Sequence, residues 1–274
     1  DGSGLTFSAA RRGGGGGMSA TTWPRRAASL RRRCAAVPGE ELAPVRSTAY
    51  SPDPMLPALS HVRDWIFDLD NTLYPASSNL FAEIEARMGQ YICTLLDCDA
   101  EEAHRVQKMH FHNHGTSLSG LMAEQAVDPH HFLDFVHDID LSALVPDPDL
   151  PRLLAALPGR KLVFTNGDVP YATRVLDRLG LSDSFAGIHD IHATAYRPKP
   201  HASAYAGLCA AWEIDPAAAL FAEDMARNLV PAKAAGMTTV WVDNGSEQGP
   251  GGARDHIDYI THDIVAWLRF VEES

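Results

Sequence analysis

Residues 62–75 read VRDWIFDLDNTLYP, a mainly apolar run followed closely by acidic residues. The mainly apolar run 62–67 predicts a buried β-strand. Two carboxylates, Asp68 and Asp70, follow the strand at positions i and i+2. Ligands of open α/β sheets bind at the carboxyl ends of the strands. We therefore expect both aspartates to face a site at the tip of this strand.

Beyond residue 150, short apolar runs alternate with helical patterns. The runs that predict strands are 162–164, 188–191, 220–222 and 239–242. The segments that predict helices are 170–179, 201–212, 229–235 and a last helix around 267–271. Repeated β-α order predicts an α/β fold with a doubly wound, mainly parallel sheet and helices on both faces.

Residues 78–149 separate the first predicted strand from the others and carry a helical pattern. The apolar residues predicted to share one helical face are Leu80, Ile84, Met88, Ile92, Leu95 and Leu96. Because this block interrupts the sheet, we expect a discontinuous core formed by 60–77 and 150–274. The insertion 78–149 is then a helical cap on that core.

The first 55 residues differ in composition from the rest. Five glycines at 13–17 and five prolines between 24 and 54 interrupt any regular period, so we expect 1–55 to be a disordered basic tail. Residues 1–46 hold eight arginines and three acids, whereas the whole chain of 274 residues has a net charge of −12. An Arg-rich, acid-poor tail is also typical of an organelle transit peptide.

The composition disfavours several classes of partner. With 35 acidic and 23 basic residues, the chain is a poor candidate for binding a nucleic-acid polymer. No run of 18 apolar residues predicts a membrane span. The four cysteines form no CxxC pair and predict free thiols in a reducing compartment. We expect a cytoplasmic protein, or an organellar one if the tail is a transit peptide, and the oligomeric state is left open.

Polar groups follow several of the predicted strands. Besides the two aspartates of the first strand, they are Thr165, Asn166, Lys199, Glu223 and Asp224. A carboxylate can attack phosphorus to form an aspartyl-phosphate, and a divalent cation held by oxygen ligands offsets the charge repulsion. A second acid can protonate the leaving group, while a hydroxyl, N–H groups and a lysine hold the phosphoryl oxygens. Together these groups predict phosphoryl transfer.

In order and spacing, these residues resemble the motifs of the haloacid dehalogenase superfamily of phosphohydrolases. The resemblance covers roughly residues 62–243. The motif Asp-x-Asp-x-Thr stands at 68–72, and the later motifs correspond to Thr165, Lys199 and 223–224. The resemblance implies a Rossmann-like core with an inserted helical cap, and a Mg²⁺-dependent phosphomonoester hydrolase.

The resemblance also implies a role for individual residues. Asp68 would be the nucleophile and Asp70 the general acid and base. The groups that would hold the phosphoryl group are Thr165, Asn166 and Lys199. The implied metal ligands are Asp68, the backbone carbonyl of Asp70, and Asp224, with Glu223 as a ligand or just behind the ligands. Asn228 is expected either to orient Asp224 or to cap the helix that begins there.

Three stretches, FDLDNTLYP at 67–75, GTSLSGL at 115–121 and EDMARNL at 223–229, resemble the pyrimidine 5′-nucleotidase branch of that superfamily. This implies a small phosphorylated substrate, with a pyrimidine nucleoside 5′-monophosphate as the first candidate. The cap residues expected near it are His114, Thr116 and Ser117. Glu223 is a departure, since Asp is expected there in many relatives and Glu also resembles sugar-phosphate members. The alternatives are a sugar-phosphate or phosphoglycolate phosphatase, a phosphomutase, and a non-catalytic scaffold that keeps the fold.

Histidines are frequent in the predicted cap. His110 and His114 stand at i and i+4, a spacing that can bind a metal on one helical face. No cysteine or matching acid nearby in the sequence completes such a site, so we expect no structural metal there. The other cap histidines, expected at the surface or half-buried, are His130, His131 and His137.

Overall fold

The computed structural model describes residues 58–246 and 254–274, so the predicted tail 1–55 lies outside the described residues. Within them, the strands of the sheet are β1 (Asp64–Phe67), β2 (Arg160–Phe164), β3 (Gly187–His189), β4 (Ala219–Glu223), β5 (Thr238–Val242) and β6 (Tyr259–Thr261). All neighbouring strands pair in parallel, in the order β3-β2-β1-β4-β5-β6. The predicted doubly wound α/β fold is confirmed.

The helices lie between and after these strands. They are α1 (Leu80–Leu96), α2 (Ala100–His114), α3 (Ser117–Gln125), α4 (Pro129–Val136), α5 (Leu150–Ala156), α6 (Val169–Leu179), α7 (Ala202–Trp212), α8 (Ala226–Ala235) and α9 (Ile264–Glu273). Helices α1 to α4 fall between β1 and β2, and α2 packs against both α1 and α3. The exact borders of a separate cap domain stay a prediction. In the part of the chain that the structure describes, every helix is too short or too polar to cross a membrane.

Strand β1 lies in the middle of the sheet, and all its residues are buried. Trp65 and Phe67 point into the hydrophobic cluster that includes the helices inserted after β1, whereas Ile66 points into the cluster on the other face. Burial on both faces is what a nearly continuous apolar run in a parallel sheet predicts. Asp68 follows directly after β1, and its backbone N–H donates to the carbonyl of Ala222 in β4 at 2.9 Å. This bond holds the backbone of Asp68 next to the end of β4.

Some local predictions were wrong. Helix α8 begins at Ala226, three residues before the predicted start. Strand β6 and helix α5 were not predicted. Three residues are too few to show a strand period, and the proline near the start of α5 reads as a break although the first helical turn tolerates it.

The packing of Trp212 against β3 can be tested with a glycine substitution. The Trp212 indole lies so close to Gly187 in β3 that an added methyl group would overlap the ring. We expect Gly187→Ala to lower the free energy of unfolding by about 1–3 kcal/mol, because overpacking forces neighbouring groups to shift. The matched control is Gly89→Ala inside α1, where an added Cβ meets no atom within 4 Å. That change should raise stability by about 0.5–1 kcal/mol.

Denaturant unfolding of both variants measures the difference. A Gly187→Ala protein as stable as wild type would contradict the close contact between Trp212 and β3.

Candidate active site

The ends of β1 and β4 bring three carboxylates together. These two strands are neighbours at the centre of the sheet, where the strand order reverses direction. In doubly wound sheets this switch point is where ligands bind. The carboxylates of Asp68, Glu223 and Asp224 lie here, buried and with ligand oxygens within 4.8 Å of one another. We call them the carboxylate cluster.

Lys199 neutralises part of this cluster and is itself 1% exposed. Its Nζ donates to Asp68 Oδ1 at 2.6 Å and to Glu223 Oε2 at 2.7 Å. A third bond, of 2.8 Å, goes to the carbonyl of Phe164 at the end of β2, so all three donors of the ammonium are used. Burial alone would lower the pKa of Lys199, but the two carboxylates raise it above its usual value. Lys199 is therefore a buried cation and not a solvated surface lysine.

Asn166 holds the backbone of Lys199 in place. Its Nδ2 donates to the Lys199 carbonyl at 3.2 Å, and its Oδ1 accepts from the Lys199 N–H at 2.8 Å. The amide oxygen of Asn166 is thus occupied, and its second Nδ2 proton and its backbone N–H are the donors that remain for a phosphate. Thr165 is 1% exposed, and its Oγ1 accepts from the N–H of Gly167 at 2.9 Å. That hydroxyl keeps its own proton for donation, and phosphate binding by both residues stays a prediction.

The two acids at the end of β4 have different surroundings. Glu223 Oε1 accepts from Asn228 Nδ2 at 3.1 Å and from the N–H of Met225 at 3.3 Å, while its Oε2 accepts from the lysine. Asp224 Oδ2 accepts from Ser246 Oγ at 2.6 Å. Asn228 therefore orients Glu223, neither Asp224 nor the start of the helix. Of the two predicted roles for Glu223, these contacts favour the one behind the ligands.

The carboxylate cluster has the charge and the donor atoms that suit Mg²⁺. Burial, and then the charge of Glu223, raises the pKa of Asp68 to about 8 and that of Asp224 to about 9. Only one ammonium faces the three acids, and their oxygens are the donors that hard divalent cations prefer. Asp68 and Asp224 would hold the ion, with Glu223 behind them.

Two buried tyrosines hold the other aspartate of the first motif. Tyr74 OH donates to Asp70 Oδ1 at 2.5 Å, and Tyr171 OH donates to the same oxygen at 2.7 Å. Burial, followed by the charge of Asp70, raises the pKa of both phenols well above the usual value, so they remain donors. The sequence analysis missed this pair. Tyr74 is four residues after Asp70 in the DLDNTLYP stretch, whereas nothing in the sequence marks Tyr171.

Behind Tyr171 lies a buried histidine. The ring of His137 stacks on that of Tyr171, with centroids 4.2 Å apart, and its Nδ1 lies 2.9 Å from Asp168 Oδ1. The prediction that His137 is at the surface or half-buried was wrong, because this residue at the end of α4 is covered by α6. His137 thus packs on the Tyr171 ring, and Asp168 accepts from the N–H of Tyr171 at 3.2 Å, so both contacts help to hold this tyrosine in place.

The predicted cap residues have partners of their own. Thr116 Oγ1 accepts from the N–H of Ser119 at 3.1 Å and so caps α3. Ser117 Oγ donates to the carbonyl of Gln107, and His114 Nε2 lies 3.2 Å from Glu124 Oε1. Contact of His114, Thr116 and Ser117 with a substrate stays a prediction. The α2–α3 junction does reach the core, since Ser119 Oγ donates to the carbonyl of Tyr196 at 3.3 Å, three residues before the buried lysine.

The raised pKa of Asp224 predicts how the metal-free protein responds to pH. A carboxyl group whose pKa rises on folding stabilises the fold below its unfolded pKa, and this stabilisation is lost as the pH rises through the folded value. For Asp224 this window runs from 3.8 to about 9. Asp224→Asn removes this titration and should raise the Tm at pH 8 by about 2–4 °C, the effect of ~1 kcal/mol in a domain of this size.

Thermal unfolding in EDTA, as a function of pH, tests this expectation. The matched control is Asp97→Asn, at an exposed left-handed position after α1 where asparagine is tolerated. If Asp224→Asn melts below wild type at pH 8, the bond from Ser246 outweighs the repulsion within the carboxylate cluster.

Comparison with known proteins agrees with this geometry. The sequence pattern of haloacid dehalogenase-like hydrolases matches residues 65–236. Phosphate metabolism protein 8 of Saccharomyces cerevisiae is 31% identical over 140 residues, which are 47% of this chain and 43% of that protein. The chain therefore matches less than half the length of this curated relative.

Two solved structures share the fold. The HAD phosphatase of Thermococcus onnurineus has a TM-score of 0.54 at 16% identity, over 77% of this chain and 98% of that chain. The HAD hydrolase YfnB of Bacillus subtilis, solved with magnesium bound, has a TM-score of 0.51 at 15% identity, over 77% and 98% of the two chains. At such identities the likeness concerns the fold alone. The predicted superfamily is confirmed, and the nucleotidase branch stays a prediction.

Proposed function

We propose that this chain, which belongs to the haloacid dehalogenase-like hydrolase family, is a phosphatase that hydrolyses phosphomonoesters through a phosphorylated Asp68. The observation that carries the proposal is the buried Lys199, bonded to both Asp68 and Glu223. A carboxylate nucleophile must be held in one orientation, and an ammonium beside it can also neutralise phosphoryl oxygens as charge develops. A scaffold without catalysis would not need this buried cation at the strand ends.

The first step transfers the phosphoryl group to the enzyme. Lys199 holds Asp68 Oδ1, whereas Oδ2 has a long contact of 3.5 Å from Thr72 and is the oxygen that attacks. A new bond forms between this oxygen and phosphorus, and the ester P–O bond breaks. The bonding electrons leave with the substrate oxygen, which takes a proton from the carboxyl group of Asp70 to become an alcohol.

The second step releases phosphate. Asp70, now a carboxylate, takes a proton from a water molecule that attacks the phosphorus. The P–O bond to Asp68 breaks, its carboxylate is restored, and inorganic phosphate leaves. Asp70 is again protonated, so the cycle closes without another reactant.

We propose Mg²⁺ as the cofactor, held by Asp68, Asp224 and the backbone carbonyl of Asp70. When bound, it offsets the repulsion between the attacking carboxylate and the phosphate dianion. Lys199 neutralises only part of the carboxylate cluster, as the raised pKa of Asp224, at about 9, indicates.

Tyr74 and Tyr171 act as positioning residues for Asp70. Both hydroxyls donate to Oδ1, which leaves Oδ2 to exchange the proton with the leaving group and with water. Because the acid must reach the leaving oxygen in the transition state, a fixed carboxyl group raises the rate.

For the substrate we propose a small phosphorylated metabolite, with a pyrimidine nucleoside 5′-monophosphate first. The stretches at 67–75 and 115–121 support this choice. The name of the yeast relative, which refers to phosphate metabolism, agrees with the wider class. A cytoplasmic location, which the lack of any CxxC pair in the sequence favours, is likewise a proposal.

Phosphate release from a panel of phosphomonoesters tests the function. The panel includes UMP, CMP, purine monophosphates, sugar phosphates and phosphoglycolate, each assayed with Mg²⁺ and with EDTA. We expect Mg²⁺-dependent release that is fastest with UMP or CMP. Asp68→Asn should reduce turnover by at least about a thousandfold, because an amide is not a nucleophile toward phosphorus, while the exposed control Asp97→Asn keeps full activity.

The outcomes separate the alternatives. Faster release from a sugar phosphate or phosphoglycolate would keep the chemistry and replace the substrate. Transfer of the phosphoryl group to a second hydroxyl without release would indicate a mutase. If folded protein releases phosphate from no member of the panel and transfers none, the scaffold interpretation is correct.

Tyr171→Phe tests the positioning of Asp70. We expect kcat to fall about tenfold with an alkyl phosphate, since one of the two bonds that fix the acid is lost, while KM and the Tm change little. With p-nitrophenyl phosphate, whose leaving group needs little protonation, the loss in the first step should be smaller. Tyr91→Phe is the matched control, because its hydroxyl bonds His131 in the inserted helices.

An equal loss of kcat with both substrates would mean that Tyr171 acts on the fold or on the second step, and not on protonation of the leaving group.

A further inference from the structure

We propose that helices α2 and α3 carry a second metal site, for a transition metal such as Zn²⁺, formed by His110, His114 and Glu124. Each side chain offers one ligand atom, and these atoms lie within 4.8 Å of one another. None of the three belongs to the carboxylate cluster at β1 and β4. The proposal is therefore independent of the proposed phosphatase activity.

The structure identifies a third ligand that helical spacing alone did not predict. His110 and His114 are one turn apart on α2, and Glu124 comes from α3, which packs against α2. Glu124 Oε1 lies 3.2 Å from His114 Nε2 and 3.7 Å from His110 Nδ1. A tetrahedral Zn²⁺ with bonds of about 2.0–2.1 Å holds its ligand atoms about 3.3 Å apart. The two distances fall on either side of this value, and the two histidine nitrogens lie within 4.8 Å of each other, so side-chain rotations would close the site.

His110 is the side chain that most needs a ligand. It is fully buried, and neither ring nitrogen has a hydrogen-bond partner. Buried polar atoms without partners are rare, and each requires an explanation. A metal ion bound to a ring nitrogen of His110 would supply such a partner.

A glycine allows the two helices to approach at this point. An added Cβ at Gly120 would overlap the His110 ring, including Nδ1. Gly120 and Glu124 are four residues apart and share one face of α3, the face that meets the histidines. The absence of a side chain at Gly120 thus allows the approach that brings Glu124 to His110 and His114.

The ligand set selects a different ion from the carboxylate cluster. Two imidazoles and one carboxylate suit Zn²⁺ and its neighbours among the transition metals, whereas Mg²⁺ prefers oxygen donors. Three protein ligands leave a fourth position for water. The Glu124 side chain is 43% exposed, which gives an ion a path from solvent.

Cobalt(II) titration of the full chain tests the site. The protein is first stripped with EDTA and then kept in excess Mg²⁺, so that the carboxylate cluster is occupied. We expect one equivalent of Co²⁺ to give the intense visible absorption of a four-coordinate site with nitrogen ligands, and Zn²⁺ to displace it. Six-coordinate Co²⁺ with oxygen ligands absorbs only weakly, so the spectrum distinguishes the two sites.

Variants assign the absorption to residues. His114→Gln and Glu124→Gln should each weaken Co²⁺ binding at least about tenfold, since each removes one of three protein ligands. His112→Gln, exposed on the same helix, is the matched control and should bind as wild type does. Circular dichroism of the metal-free variants checks that each is folded, and the buried His110 is left unchanged for this reason.

Asp224→Asn completes the test. Intense absorption that persists in this variant and is lost in His114→Gln and Glu124→Gln supports the proposal. The proposal is overturned if Co²⁺ gives no intense absorption. It is equally overturned if the absorption survives in both cap variants, or disappears in Asp224→Asn, because the ion would then lie elsewhere.

Discussion

The buried ammonium of Lys199 is the contact on which the site depends. Its three bonds reach Asp68 beyond β1, the carbonyl of Phe164 at the end of β2, and Glu223 at the end of β4. Three strand ends are thereby joined through one atom. Removing one partner of a buried charged pair is strongly destabilising, since the other charge is left without compensation. The same atom thus holds Asp68, the proposed nucleophile, in place and closes the polar end of the sheet.

The carboxylate cluster lowers the stability of the metal-free fold. Burial and mutual repulsion raise the pKa of Asp68 to about 8 and of Asp224 to about 9, so negative charge at this place opposes folding. The apolar residues of β1 and the clusters on both faces of the sheet hold the carboxylates together despite that repulsion. A cluster of acids that opposes folding when charged, placed at a switch point, is typical of a functional site and not of one that only stabilises the fold.

The sequence predicts the parts of the site that follow from sheet geometry. Carboxyl ends of parallel strands share one edge, so the convergence of Asp68 and the acids 223–224 needs only the strand assignments. The bond from Tyr171 to Asp70 and the burial of His137 depend on how α6 packs against β1 and α4, which no short-range pattern reports. Asn166 illustrates a third case, because its position at a strand end is visible in the sequence while the direction of its amide is not.

The histidines of α2 show what helical spacing can predict about a group of ligands and what it cannot. Helical spacing correctly puts His110 and His114 one turn apart, but the acid that completes the group, Glu124, stands ten residues further along the chain on another helix. Its approach depends on Gly120, whose missing side chain leaves no signal of its own. The same junction of α2 and α3 contacts the carbonyl of Tyr196 through Ser119. Since Tyr196 precedes the buried lysine by three residues, Ser119 joins the inserted helices to the segment of the core that carries Lys199.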